Sequence, residues 1–227
     1  MAFLQQPAAQ PFLRAPAVVL WLIAALLGIY AVQTSFGDAW PRVFFPYEFL
    51  PARYLPAHLT LTGIFALALP FFSYTFLHGS WPHVLLNSVW LLAFGPVVAR
   101  RFGTPLFLVF FLVCSIAAAA THLAIYWGST EPVVGASGAI SGLMAASFRM
   151  LPFDSRHPPL APLLSPRILA WTAIWAVVNV IAGVTGLGAG GGPAAVAWVA
   201  HLGGYGAGLL LAGPFDRLGA RSGLAEP

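Results

Sequence analysis

Charge is what this sequence has least of. Of its 227 residues only 7% are Asp, Glu, Lys or Arg, while 59% are hydrophobic. A soluble domain carries roughly 25% charged residues, because a water-facing surface needs them. Ten basic and six acidic side chains cannot cover a chain of this size. A water-soluble enzyme, a nucleic-acid binder and a disordered chain are therefore excluded as starting points. Lysine is missing altogether, and the ten arginines are scattered singly apart from Arg100-Arg101, unlike the clustered basic face that nucleic acid selects. Cys114 is the only cysteine, so no intrachain disulfide can form. What is left is an integral membrane protein of one domain.

What the sequence does have is long apolar runs. A helix crossing about 30 Å of hydrocarbon needs roughly 20 apolar residues. Such runs cover 16–33, 83–99, 105–127, 133–151, 168–188 and 194–213, and a seventh, 59–77, is interrupted by Pro70. Arginine placement decides whether the seventh crosses, since cytoplasmic loops are enriched in basic residues. With six spans, Arg14, Arg100, Arg101, Arg149, Arg156, Arg167, Arg217 and Arg221 share one side, and only Arg42 and Arg53 lie opposite. With seven spans and the same cytoplasmic N-terminus, the seven later arginines join Arg42 and Arg53 outside and leave Arg14 alone within, one against nine. The expected fold is an all-α polytopic bundle of six transmembrane helices with both termini cytoplasmic. Residues 34–82 form its long, membrane-associated first outer loop.

The domain reading is a cytoplasmic tail over 1–15, a six-helix domain over 16–213 and a second tail over 214–227. The run 16–33 is longer than the 7–15 residues or so of a signal-peptide core, so it reads as a retained span. The glycine-rich run 185–193 reads as a mobile connector on the outer side. The all-arginine basic set and the absence of an organelle-type presequence point to a bacterial inner membrane.

Polar side chains inside hydrocarbon are costly and mark function. Three sets are prominent: His78, His83 and Asn87; Ser137 and Ser141; and His201. Asn87 stands 13 residues before Arg100, Ser137 12 before Arg149, and His201 15 before Asp216. At about 1.5 Å per helical residue, all three lie about 18–22 Å above the inner boundary, in one layer of the outer half. His83 and Asn87 are four residues apart and share a helix face. Gly138 with Gly142, and Gly204 with Gly208, form small-xxx-small pairs that let membrane helices approach closely. That approach is needed to bring a serine on one helix to a histidine on another.

An imidazole within reach of a serine hydroxyl can take its proton and later return it to a leaving amine. The six acids, Asp38, Glu48, Glu131, Asp154, Asp216 and Glu226, all read as loop or tail residues. The expected catalytic unit is therefore a dyad with no carboxylate. Donors available to a developing oxyanion are the Asn87 amide, the His83 imidazole and the Ser137 backbone N–H.

Three separated motifs, His78…His83…Asn87, Gly135-Ala136-Ser137-Gly138 and Ala200-His201…Gly204…Gly208, resemble those of the rhomboid family of intramembrane serine proteases in order and topology. The resemblance implies Ser137 as nucleophile, His201 as base, and His83 and Asn87 as oxyanion ligands. It also implies a mobile cap from the glycine-rich run and substrates with small or helix-breaking residues near the cut, while His78, near the interface, reads as first-loop support by its position. The family often carries Trp-Arg where Leu69-Pro70 stand, and an aromatic residue where this chain has Ser141.

Each residue also has a structural reading. Ser137 and Ser141 could bond back to their own helix, His83, Asn87 and His201 could glue helices together, and His122 and Asn179 read as packing. A metal bound by His78, His83 and His201 would lack any carboxylate or thiolate ligand, so neither metal nor cofactor is expected. The expected partners are transmembrane protein substrates and the lipid bilayer, with no nucleic acid. The rival readings are a catalytically inactive relative that binds membrane proteins and a small transporter. A transporter needs polar residues continuing towards the cytoplasmic side, and below Asn87 and His201 the chain is apolar plus glycine.

Overall fold

A computed structural model describes residues 15–55, 61–150, 159–185 and 198–222. Helix α1 (Ala17–Ser35) is built from Ala, Leu, Val and Ile. It buries Val19, Leu22, Leu26, Tyr30 and Gln33, a three-to-four-residue spacing that turns one face inward. After it come short helices, α2 (Trp40–Phe44), α3 (Leu61–Ala68) and α4 (Pro70–Ser73), with single-turn segments between and beyond them. Within the apolar run 59–77, the helices Leu61–Ala68 and Pro70–Ser73 meet at Leu69, and among the described residues this stretch is shorter than a membrane span.

The longest helix, α5 (Trp81–Ile125), begins at Ser80, whose hydroxyl accepts the His83 N–H at 3.2 Å, with Pro82 in its first turn. It is interrupted at Gly103, which has φ 73° and ψ 161°. A side chain disfavours that conformation, so glycine sits at the break and Pro105 opens the segment beyond it. The break separates the predicted runs 83–99 and 105–127 immediately after Arg100-Arg101. Helices α6 (Ser137–Met150), α7 (Pro166–Thr185) and α8 (Trp198–Ser222) complete the chain. Three helices, α1, α5 and α7, are long and apolar enough to cross a membrane among the described residues. The fold is that of an all-helical membrane protein.

Two predicted boundaries need correction. The run 133–151 is helical only from Ser137, because Val133 pairs with Phe49 through two backbone bonds of 2.8 and 3.1 Å and Gly135 then turns the chain at φ 119°. At about 1.5 Å per residue α6 spans only about 21 Å. The run 194–213 corresponds to a helix that continues through Pro214 to Ser222. Asp216 is therefore on a helix, where it accepts from Arg101 at 2.5 and 2.9 Å. The tail residues 1–14, the loop 151–158, most of the glycine-rich run (186–193) and the C-terminal 223–227 lie outside the described residues.

Helices α5, α6 and α8 form the centre, with α1 against α5. Phe102, Phe107, Phe110, Leu143 and Ala212 are fully buried there. Arg149 closes the same end as Arg101 and Asp216, donating to Ala161 O at 3.0 Å and Leu209 O at 2.6 Å. Helix α7 lies at the edge and buries only Ile168 and Asn179. The segment between α1 and α5 is gathered by Arg53, which donates to the carbonyls of Phe45, Pro46 and Glu48 and lies 4.4 Å from the Phe45 ring. It is fixed to the bundle where Tyr74 Oη donates to Ser115 O at 2.8 Å and the Gly135 N–H donates to Tyr74 O at 2.9 Å.

Candidate active site

The site is built on backbone proximity between α6 and α8. A β-carbon on Gly204 would collide with the Gly138 carbonyl, and one on Gly208 with the Gly142 carbonyl. A β-carbon on Gly138 would come within 2.6 Å of the Ala118 methyl, and one on Gly142 would meet Cys114 and, at 2.9 Å, the Gly204 carbonyl. Glycine at 142, 204 and 208 allows α6 and α8 to touch, and glycine at 138 and 142 allows α6 to close on α5.

Across this contact His201 Nε2 lies 2.7 Å from Ser137 Oγ. Both residues are half-buried. Ser137 does not follow the commoner fate of a serine in an apolar helix. Ser141, one turn on, donates to Ser137 O at 2.8 Å, and Ser88 and Ser147 bond back in the same way. Ser137 escapes because it opens its helix, where no carbonyl stands a turn earlier. For the same reason its N–H has no intrahelical partner and points out of the positive end of the helix dipole.

Facing this helix start are two further donors. Gly135 has the positive φ already noted, and a β-carbon there would lie 2.7 Å from His83 Nε2 and 3.5 Å from Asn87 Nδ2. The imidazole and the amide therefore converge on the turn that leads into Ser137. Asn87 is 4% exposed and its Nδ2 has no partner among the described residues. A buried, unpaired amide donor costs roughly 1–3 kcal/mol, so this one is ready to donate to a ligand oxygen.

His78 does not touch Ser137. It is fully buried, with its ring 5.0 Å from that of His83 in an edge-on arrangement. Its backbone is clamped by Gln33 of α1: the His78 N–H donates to Oε1 at 3.1 Å, and Nε2 donates to His78 O at 3.4 Å. Sequence reasoning passed over Gln33, whose signal was its isolation as a glutamine near the end of an apolar run. His122 packs its ring 4.8 Å from that of Tyr126.

Asn179 was read as packing, and here the structure corrects the sequence reading. Its Oδ1 lies 2.7 Å from His201 Nδ1, and its Nδ2 donates to Trp198 O at 3.0 Å. His201 thus has a partner on each ring nitrogen, Asn179 on Nδ1 and Ser137 on Nε2. The signal was available: Asn179 follows Arg167 by 12 residues, about 18 Å, which is the depth of Ser137. An apolar groove lined by Tyr54, Leu67, Phe71, Phe72 and Ile116 touches none of these residues. No cluster of three or more His, Cys, Asp or Glu suited to a metal occurs among the described residues.

An apolar helical bundle holding a serine against a histidine defines the class as an integral membrane protein with a polar site inside it. The Rhomboid domain model matches residues 67–216, more than half of the chain, and the protein belongs to the rhomboid family. No curated protein matches the chain.

Proposed function

We propose that this protein is an intramembrane serine endopeptidase that cleaves transmembrane-helix substrates near their outer end. The observation that carries the reading is the 2.7 Å contact between His201 Nε2 and Ser137 Oγ, a geometry suited to proton transfer. In the attack, Ser137 Oγ bonds to the scissile carbonyl carbon while its proton passes to His201 Nε2. The carbonyl π pair moves onto oxygen, which receives hydrogen bonds from Asn87 Nδ2, His83 and the Ser137 N–H. Collapse breaks the C–N bond, and the amine leaves with the proton from His201. Water then attacks the acyl-enzyme by the same relay and regenerates Ser137.

In this reading the chain crosses the membrane six times, α5 supplying two crossings about Gly103 and both termini facing the cytoplasm. The segment between α1 and α5 rests on the membrane's outer face, and the host membrane is the bacterial inner membrane. The grouping of Arg101, Arg149 and Asp216 at one end of the bundle supports that orientation. The short α6 supports a site below the outer surface, and the half-burial of Ser137 and His201 supports water access. Substrates are membrane proteins whose helix unwinds locally to present its carbonyl. The test is cleavage of a model transmembrane substrate by the full chain in bilayers. The wild type is expected to cut it, and Ser137→Ala and His201→Ala to leave it intact. Equal cleavage by all three would overturn the assignment, and no cleavage by the wild type would favour a non-catalytic membrane-protein binder.

A further inference from the structure

Helix α7 turns almost everything it has away from the bundle. Of its 20 residues only Ile168 and Asn179 are buried. An asparagine is an unlikely choice for one of two inward positions on an apolar helix if packing alone were served, because each of its polar atoms then needs a partner. Asn179 has both, and the identity of the second fixes the first. The partner at 3.0 Å is the backbone carbonyl of Trp198, which can only accept. The amide NH2 must therefore face Trp198, which leaves the amide oxygen facing His201 Nδ1 at 2.7 Å. An amide oxygen can only accept as well, so Nδ1 must carry the imidazole proton. A neutral imidazole has one N–H, and Nε2 is left with a bare lone pair directed at Ser137 Oγ.

We infer that Asn179 is a positioning residue that fixes the tautomer and ring orientation of His201, in the place that a carboxylate occupies in a Ser-His-Asp unit. This rests on the serine-protease reading. The chain of consequence runs from Trp198 O through the Asn179 amide and the His201 ring to the Ser137 hydroxyl, each link set by which atom is able to donate. A neutral amide does this without placing a charge inside the apolar bundle, where an ionised carboxylate would be expensive. Cysteine proteases with a Cys-His-Asn unit use an amide in the same role. Without Asn179, His201 would be free to hold its proton on Nε2 and point it at Ser137, a tautomer that cannot accept the serine proton.

The test uses the full chain labelled with ¹⁵N-histidine in bilayer nanodiscs, the His201 ring signals being assigned by their loss in His201→Ala. The expected wild-type spectrum shows the Nδ1–H tautomer. Asn179→Leu, close in size but unable to bond, is expected to give a mixture with Nε2–H, and Asn179→Asp to retain Nδ1–H. In parallel, kcat on a model transmembrane substrate is expected to fall by about 10²-fold in Asn179→Leu with KM within about twofold, and to be largely rescued in Asn179→Asp. An Nε2–H tautomer in the wild type would overturn the inference, and that result needs no variant to fold. An unchanged tautomer in a folded Asn179→Leu would overturn it too, reducing Asn179 to a tie between α7 and α8. If the wild type lacked protease activity, the serine-protease reading would fail, while the spectra would still report on the Asn179–His201 link.

Discussion

The carbonyl oxygen of Gly138 occupies the space that a β-carbon on Gly204 would need. The obstacle is backbone, which cannot rotate aside as a side chain can, so any larger residue at 204 must push α8 away from α6. The 2.7 Å contact between Ser137 and His201 spans the same gap. Gly204→Ala is expected to destabilise the bundle by about 1–3 kcal/mol and to lower kcat by about 10²-fold through misplacement of the reacting groups. Gly206→Ala is the control, because nothing lies within 4 Å of a β-carbon there. Thermal melting and substrate cleavage, measured on both variants, check the pair. Full activity in Gly204→Ala would detach the glycine contact from the chemistry.

Asn87 is expected to matter only when the oxyanion forms. Its amide nitrogen is buried and has no partner among the described residues, so Asn87→Ala removes no bond from the resting site. The variant is expected to melt like the wild type and to lose about 10²–10³ in kcat, as loss of one oxyanion donor does elsewhere. Steady-state kinetics separates kcat from KM. A rise in KM alone would move Asn87 from transition-state stabilisation to substrate binding.

Gln33 is expected to act on stability first. Its amide satisfies both backbone groups of the buried His78, which sets the entry to α5 and so the placement of His83. Gln33→Leu leaves that N–H and C=O buried and unpaired, an expected loss of about 1–3 kcal/mol per group. Gln33→Glu keeps an acceptor for the N–H, but an ionised carboxylate at this buried position would face the His78 carbonyl with no counter-charge, so it is expected to lose the most. Unfolding of the three proteins under one denaturant series gives the ranking.

Much of the architecture could be read from local pattern. The break in α5 was written in Arg100-Arg101, Gly103 and Pro105. The start of α6 was not legible, because it depends on Val133 pairing with Phe49, which is 84 residues away in the sequence. Hydropathy sees only that 133–136 is apolar.

The site divides in the same way. Ser137, His83, Asn87 and His201 could be singled out because polar groups at one depth in an apolar layer need a reason. Gln33 and Asn179 are equally polar, but each stands alone in its run, and spacing along a helix does not say which neighbouring helix it faces. Depth counted from Arg167 would have placed Asn179 level with Ser137. The partner itself required the packing of α7 on α8.

The central claim is that Ser137 is a nucleophile activated by His201, and its most direct test is covalent labelling. Purified full chain in bilayers, treated with a fluorophosphonate probe, is expected to take up one label per chain at Ser137, located by peptide mass spectrometry. Ser137→Ala should take up none, and His201→Ala should label at least about 10²-fold more slowly. Labelling that persists in Ser137→Ala, or that is as fast in His201→Ala as in the wild type, would contradict the account.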